Sequence, residues 1–170
     1  MFTKAIKSEF APKALGPYSP AVKLGDFVYL SGQIPLDPFT NTVKGTTIEE
    51  QTEQVMKNIQ AVLGEMDLEF RHVVKTTIFM SDLSEFDAMN KVYGSFLVEP
   101  YPARSCVQVA KLPKDVKLEI ECIVIDTLVY EQQIAAQANG CEHCKGNCDS
   151  GECNGECDHE ESTEECSCKH

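Results

Sequence analysis

From Cys141 to His170 the chain carries seven cysteines and three histidines and not one aliphatic side chain. Such a stretch has nothing to bury, so a hydrophobic core must come from the residues ahead of it. The charge breaks at the same place. Residues 1–130 hold 13 basic and 17 acidic side chains, whereas residues 131–170 hold 2 and 10. Most of the net charge of −12 therefore belongs to the tail. The expected organisation is a folded domain over 1–128, a linker over 129–140 and a Cys/His-rich acidic tail over 141–170. No run of about 18 apolar residues exists, so no membrane span is expected. Met1–Phe10 lacks the apolar stretch of a signal peptide, which points to a cytoplasmic protein. The acidic balance argues against nucleic acid as a partner, because neutralising phosphates requires an excess of Lys and Arg.

The first 128 residues read as α+β. Ala21–Leu24 and Phe27–Leu30 flank Gly25-Asp26, the pattern of a tight hairpin. Ser31-Gly32-Gln33 is expected to leave the second strand. Thr46-Thr47-Ile48-Glu49 offers a capping box, and Ile48, Val55, Ile59, Val62 and Met66 follow at helical spacing. That predicts a helix over about 47–66. Val73–Met80 reads as a buried strand. Ser81 or Ser84 is expected to cap a second helix with a stripe of Phe86, Met89, Tyr93, Phe96 and Leu97, ended by Pro100. Ser105–Val109 and Val116–Ile125 read as strands, the latter the longest, and Phe2–Ile6 as a further one. A single sheet with two helices on one face fits this order. Its other face is left uncovered and asks for a partner, most simply another copy of the chain.

Polar residues inside the strands carry the chemical information. Side chains alternate along a strand, so Arg104, Cys106 and Gln108 share one face and Glu119 and Glu121 share another strand's face. A strand-borne Arg suits a two-pronged grip on a carboxylate. A nearby Glu can activate water as a general base. A structural Arg–Glu ion pair is the competing reading, and the loop Ala110–Asp115 is too long to set the register that would decide. Cys106 reads as a small half-buried strand residue rather than a nucleophile, because no His lies near it in sequence. His72 reads as a surface or capping residue. Gly16-Pro17-Tyr18-Ser19-Pro20 is a rigid turn that sets Tyr18 either in a pocket or over a strand end. Ser31-Gly32 either brings backbone close to a ligand or ends its strand. Lys111, Lys114 and Lys117 form a basic stretch that reads as a solvated loop.

Several of these segments together resemble the RidA family, also called YjgF/YER057c/UK114. The run Pro102-Ala103-Arg104-Ser105-Cys106-Val107-Gln108-Val109-Ala110-Lys111-Leu112-Pro113, followed by Leu118-Glu119-Ile120-Glu121, is similar to that family's signature. Gly16–Ala21, Leu30–Pro35 and Asn90–Tyr93 also match, in the same order, over about residues 2–127. The resemblance implies a chorismate-mutase-like α+β fold: a single mixed β-sheet with two helices on one face, assembled as a homotrimer with sites in clefts between subunits. It implies hydrolysis of reactive 2-imino acids or their enamine tautomers, such as 2-iminobutanoate and 2-iminopropanoate, to 2-keto acids and ammonia. Arg104 then matches the arginine that binds the substrate carboxylate, and Glu119 the glutamate near the attacking water. Tyr18, Ser31, Gly32, Asn90 and Cys106 match residues lining the cleft. No cofactor is expected for catalysis, since a protonated imine is already electrophilic. The wider family also includes members described as ribonucleases or translation inhibitors.

The family pattern does not extend over the tail. Cys141, His143, Cys144, Cys148, Cys153, Cys157, Cys166 and Cys168 stand at spacings that let a short loop wrap a tetrahedral ion. Thiolates and imidazoles suit zinc, and thiolates suit Cu(I). Only Cys141–Cys144 has the form of a zinc knuckle, so no known zinc domain is recognised. A disulfide scaffold is opposed by the odd count and the cytoplasmic expectation. A redox-active or incidental tail is the remaining reading.

Overall fold

The structure is a computed structural model and describes residues 2–138. The chain divides after Leu128. Ahead of that point the elements are β1 (Thr3–Ile6), β2 (Ala21–Leu24), β3 (Phe27–Gln33), α1 (Ile48–Gly64), β4 (Val73–Met80), α2 (Phe86–Ser95), β5 (Ala103–Gln108) and β6 (Leu118–Ile125). A last helix, α3 (Leu128–Ala138), continues into the second unit. No helix among the described residues is long and apolar enough to cross a membrane. The tail residues Cys141, His143, Cys144, Cys148, Cys153, Cys157, Cys166 and Cys168, and the metal expectation attached to them, lie outside the described residues.

The six strands form one mixed sheet in the order β1-β2-β3-β6-β4-β5. β6 runs antiparallel between β3 and β4, and β5 lies parallel to β4. The last strand among the described residues is thus inserted into the middle of the sheet. Alternation decides which residues go inward. Val28 and Leu30 of β3, Ile78 and Met80 of β4, and Leu118, Ile120, Cys122 and Val124 of β6 are all buried on one face. Ile48, Val55, Met56, Ile59, Val62 and Leu63 of α1 and Met89 and Tyr93 of α2 cover that face. Burial pushes the Cys122 thiol up to about 12, so it stays protonated as a packing residue. The other face carries Leu24, Phe27, Tyr29 and Val107, each more than 40% exposed. The expected single sheet with both helices on one side is what the chain builds.

A polar seam joins α1 to the loops that reach the far end of the sheet. Gln54 and Asn58, both buried, donate to the Leu36 carbonyl, and Asn58 also donates to the Ile34 carbonyl at 3.1 Å. Gln51 accepts from the Lys117 amide at 2.8 Å and donates to the Gly45 carbonyl. Buried backbone groups need such partners, and these three side chains supply them. The seam holds the loop after β3 and the start of β6, two residues ahead of Glu119.

Local boundaries depart from the sequence expectation in several places. The capping box is Thr47 with Glu50, one residue later than Thr46 with Glu49. Both pairs have the right spacing, and the second is used because it begins the helix at buried Ile48. Neither Ser81 nor Ser84 caps the second helix. Asp82 accepts from the Ser84 amide and starts a short 3-10 turn over Leu83–Glu85, while the Ser81 amide continues the sheet to the Lys117 carbonyl. α2 stops at Ser95, well before Pro100, because its last turn tightens and sets Phe96 edge-on against Phe70, 6.0 Å away. β5 begins at Ala103 and β6 at Leu118, and β4 and β6 are of equal length, so Val116–Ile125 is not the single longest strand. His72 is buried rather than on the surface, and its Nδ1 accepts from the Glu69 amide at 2.9 Å, the capping role.

Candidate active site in two clefts

Glu119 occupies β6 on the sheet face away from the helices, opposite Phe79 of β4. Beside it β3 bulges. Leu30 faces Cys122 and Gln33 faces Ile120, so Ser31 and Gly32 together stand opposite one residue. The expectation that Ser31-Gly32-Gln33 leaves the strand is therefore corrected: the strand continues to Gln33 through the bulge. Gly32 leaves room for the Glu119 side chain. A Cβ built there would meet Glu119 Oε1 at 1.8 Å, so the carboxyl lies against bare backbone.

Ser31 uses two donors to fasten the rigid turn. Its amide donates to the Pro20 carbonyl at 3.0 Å and its hydroxyl to the Ser19 carbonyl at 2.7 Å. Tyr18 is held within that turn, and its phenolic oxygen accepts from the Leu15 amide. The result is a cleft of about 320 Å³ bounded by Leu15, Tyr18, Ser31, Gly32, Ile34 and Glu119. Burial, then the neighbouring Glu121 carboxylate, raises the Glu119 pKa above the usual carboxylate range. A half-buried carboxyl that holds its proton more tightly is suited to passing one to and from water.

Arg104 belongs to a different cleft. It pairs in register with Thr76 of β4, which is buried beneath the helices, so Arg104 projects toward α2. Its guanidinium donates to Asn90 Oδ1 at 2.5 Å. The guanidinium carbon lies 5.3 Å from the ring centroids of both Phe86 and Tyr93. Asn90, Tyr93, Leu97, Tyr101 and Arg104 bound a cleft of about 400 Å³. Cys106 and Gln108 continue the same face of β5. Cys106 is half-buried against the core opposite Ile78, and Gln108 accepts from the Leu83 amide. Burial raises the Cys106 thiol pKa and the Arg104 charge only partly offsets it, so the thiol is not set up as a nucleophile.

The chain thus gathers Tyr18, Ser31, Gly32 and Glu119 in one cleft and Asn90 and Arg104 in another. It does not bring Arg104 and Glu119 together, and the reading of them as an ion pair within one chain is overturned. Their positions along β4 explain why. Thr76 and Phe79, their respective partners, are three residues apart and point to opposite faces. Lys111 pairs with Asp115 at 3.0 Å and Lys117 with Glu85 at 2.9 Å, so the basic stretch is partly neutralised. Among the described residues no three metal-ligating side chains cluster.

Leu15 and Ile34 escaped the sequence reading because isolated aliphatic residues in loops carry no pattern. Phe86 and Tyr93 read only as core. Their spacing of four and three residues about Asn90 was the available signal, since it places all three on one helix face.

Comparison with known proteins places the fold and the family. The profile of the family described as Endoribonuclease L-PSP matches residues 8–126. The 2-iminobutanoate/2-iminopropanoate deaminase of Salmonella typhimurium is 45% identical over 126 residues, covering 72% of this chain and 98% of that protein. RidA from the Antarctic bacterium Psychrobacter superposes with a TM-score of 0.70 at 43% identity, over 72% of this chain and 98% of that one. TdcF of E. coli, crystallised with bound serine, superposes with a TM-score of 0.69 at 43% identity and the same coverage. With the family profile matching residues 8–126 and a relative 45% identical over nearly its whole length, the chain belongs to the endoribonuclease L-PSP family, the RidA/YjgF family.

Proposed function

We propose that this protein hydrolyses small 2-imino acids, 2-iminobutanoate and 2-iminopropanoate among them, to 2-oxo acids and ammonia, in sites completed between copies of a homotrimer. The observation that carries this reading is the division of the chemistry over two open clefts, Arg104 in one and Glu119 in the other. A single chain offers each half without its complement. Apposing the uncovered sheet faces of neighbouring copies would bury Leu24, Phe27, Tyr29 and Val107, and because β5 is an edge strand, its Arg104 could then reach around that edge to the Glu119 cleft of the next copy. The Salmonella relative carries the name of this activity, and the E. coli neighbour was crystallised with an amino acid, a molecule with the same carboxylate.

In this scheme Arg104 grips the substrate carboxylate and so fixes the C=N carbon relative to Glu119. Water adds to that carbon. A C–O bond forms, the C=N electron pair moves to nitrogen, and Glu119 accepts the water proton. Starting from the protonated imine this leaves a neutral carbinolamine. The protonated carboxyl returns its proton to the amine nitrogen, and the C–N bond breaks with its electron pair going to the departing ammonia. The Glu119 carboxylate takes the hydroxyl proton as the C=O forms and passes it to solvent. The raised pKa of Glu119 supports both halves of the transfer. Leu15 and Ile34 offer aliphatic walls for a short side chain. The scheme calls for no cofactor and suits the cytoplasm, where pyridoxal-phosphate enzymes such as threonine dehydratase release such imines. The test is 2-oxo acid release in an assay fed by threonine dehydratase. Arg104→Ala is expected to abolish turnover while the oligomer persists, and near-normal turnover would remove the carboxylate anchor. We favour deamination over RNA cleavage because the net charge is −12 and both Lys111 and Lys117 are paired with acids. RNA cleavage by the same preparation, without 2-oxo acid release, would reverse that preference.

A second reading concerns the tail and rests on seven thiols and three imidazoles within 30 residues. We propose that Cys141, Cys144, Cys148, Cys153, Cys157, Cys166 and Cys168, with His143, bind zinc or Cu(I), making the tail a metal-buffering or metal-recruiting arm. Three tails on one trimer would raise the local thiol concentration. Metal analysis of the anaerobically purified chain, beside a chain with the seven tail cysteines changed to serine, tests it. Metal retained only by the cysteine-bearing chain is expected, and equal metal in both would refute it.

A further inference from the structure

The surroundings of Arg104 do more than close a cleft. Phe86, Asn90 and Tyr93 follow one another by four and three residues on α2 and therefore share a face. That face presents a ring, an amide and a second ring to one guanidinium. The guanidinium carbon is 5.3 Å from each ring centroid, within the range of cation–π attraction. Asn90 takes one of the five N–H donors, leaving four. The second ring is itself fixed. The Tyr93 hydroxyl lies 2.9 Å from Thr76 Oγ1 in the core, and Thr76 is the register neighbour of Arg104.

We propose that Phe86 and Tyr93 are positioning residues. They bracket the Arg104 guanidinium in its carboxylate-gripping orientation before ligand arrives, and Thr76 fixes the Tyr93 ring. An arginine on a flexible stem is otherwise ordered by the ligand, which weakens binding. Here the ordering is done by the fold. The functional consequence rests on the reading of Arg104 as carboxylate anchor; the bracket itself does not.

The chain contains two arginines, Arg104 and the exposed Arg71, so ¹⁵N-arginine labelling yields two Nε–H signals, one of them an internal control. Phe86→Leu keeps an apolar side chain and removes the ring face. It is expected to lower the order parameter of Arg104 Nε–H, leave Arg71 unchanged and raise the KM for the imino acid about tenfold with a smaller change in kcat. Phe86→Tyr restores the ring and is expected to restore both. Tyr93→Phe keeps the second ring but frees it from Thr76, and is expected to loosen Arg104 to a lesser degree; it carries the test should Phe86→Leu fail to fold. An Arg104 signal as ordered in Phe86→Leu and Tyr93→Phe as in the parent overturns the proposal, whatever the activity. A loosened Arg104 in a protein that hydrolyses no imine sustains the bracket and overturns the deaminase reading instead.

Discussion

Gly32→Ala isolates the close approach on which the carboxylate half of the site depends. The backbone of Gly32 is not in the left-handed region, so alanine costs little in conformation there. What it adds is a methyl group 1.8 Å from Glu119 Oε1, 2.7 Å from Cδ and 2.9 Å from Cγ. Ordinary contact begins near 3.4 Å, so the carboxyl oxygen must retreat by about 1.6 Å. Every one of the three clashing atoms belongs to the movable end of one side chain, which predicts a protein that folds with nearly its parental melting temperature. Displacing a reacting group by about 1 Å lowers rate roughly a hundredfold. That corresponds to about 2.7 kcal/mol of lost transition-state stabilisation. The assay is kcat/KM for 2-iminobutanoate, generated in situ, with thermal melting and size-exclusion chromatography on the same sample. Gly25→Ala is the control, because its added methyl meets nothing within 4 Å and its cost is confined to a positive φ. A Gly32→Ala enzyme that stays oligomeric and within threefold of the parent would refute the claim that Glu119 must lie against bare backbone.

Glu121→Gln removes the charge that helps raise the Glu119 pKa. The Glu119 pKa then falls, so the acidic limb of the kcat/KM profile moves to lower pH, and an unmoved limb would assign that limb to another group. Thr47→Ala removes the acceptor for the Glu50 amide and is expected to destabilise the fold by roughly 1 kcal/mol, read by denaturant melting, with kcat/KM unchanged.

Much of the fold was legible because its signals are local. Val73–Met80 and Ala21–Leu24 coincide with their strands since β-branched runs and a Gly-containing turn each act over a few residues. Signals that recur at adjacent positions were less decisive, as with Thr46 and Thr47, where burial of Ile48 chose between equivalent caps. The Gly32 signal was ambiguous for a deeper reason. A glycine late in a strand marks either an end or a bulge, and only the register of β3 against β6 separates the two. The face carried by each polar residue could be read from alternation, and the groupings of Arg104 with Cys106 and of Glu119 with Glu121 agree with the strands. Whether those two faces coincide could not be read, because it depends on β4 lying between β5 and β6, a long-range pairing. The buried Gln51, Gln54 and Asn58 of α1 broke the apolar pattern of that helix, and their purpose became visible only with the loops they hold.

In the proposed enzyme a working site draws Arg104 from one copy and Glu119 from another. Complementation between two inactive variants tests it most directly. Arg104→Ala and Glu119→Gln are prepared separately, then unfolded and refolded together in equal amounts so that subunits mix. With random mixing, a site between two copies inherits the intact Arg104 half and the intact Glu119 half with a chance of one in four, so about a quarter of wild-type activity is expected. Mixed trimers that regain no activity, while refolded wild type does, would contradict the shared site.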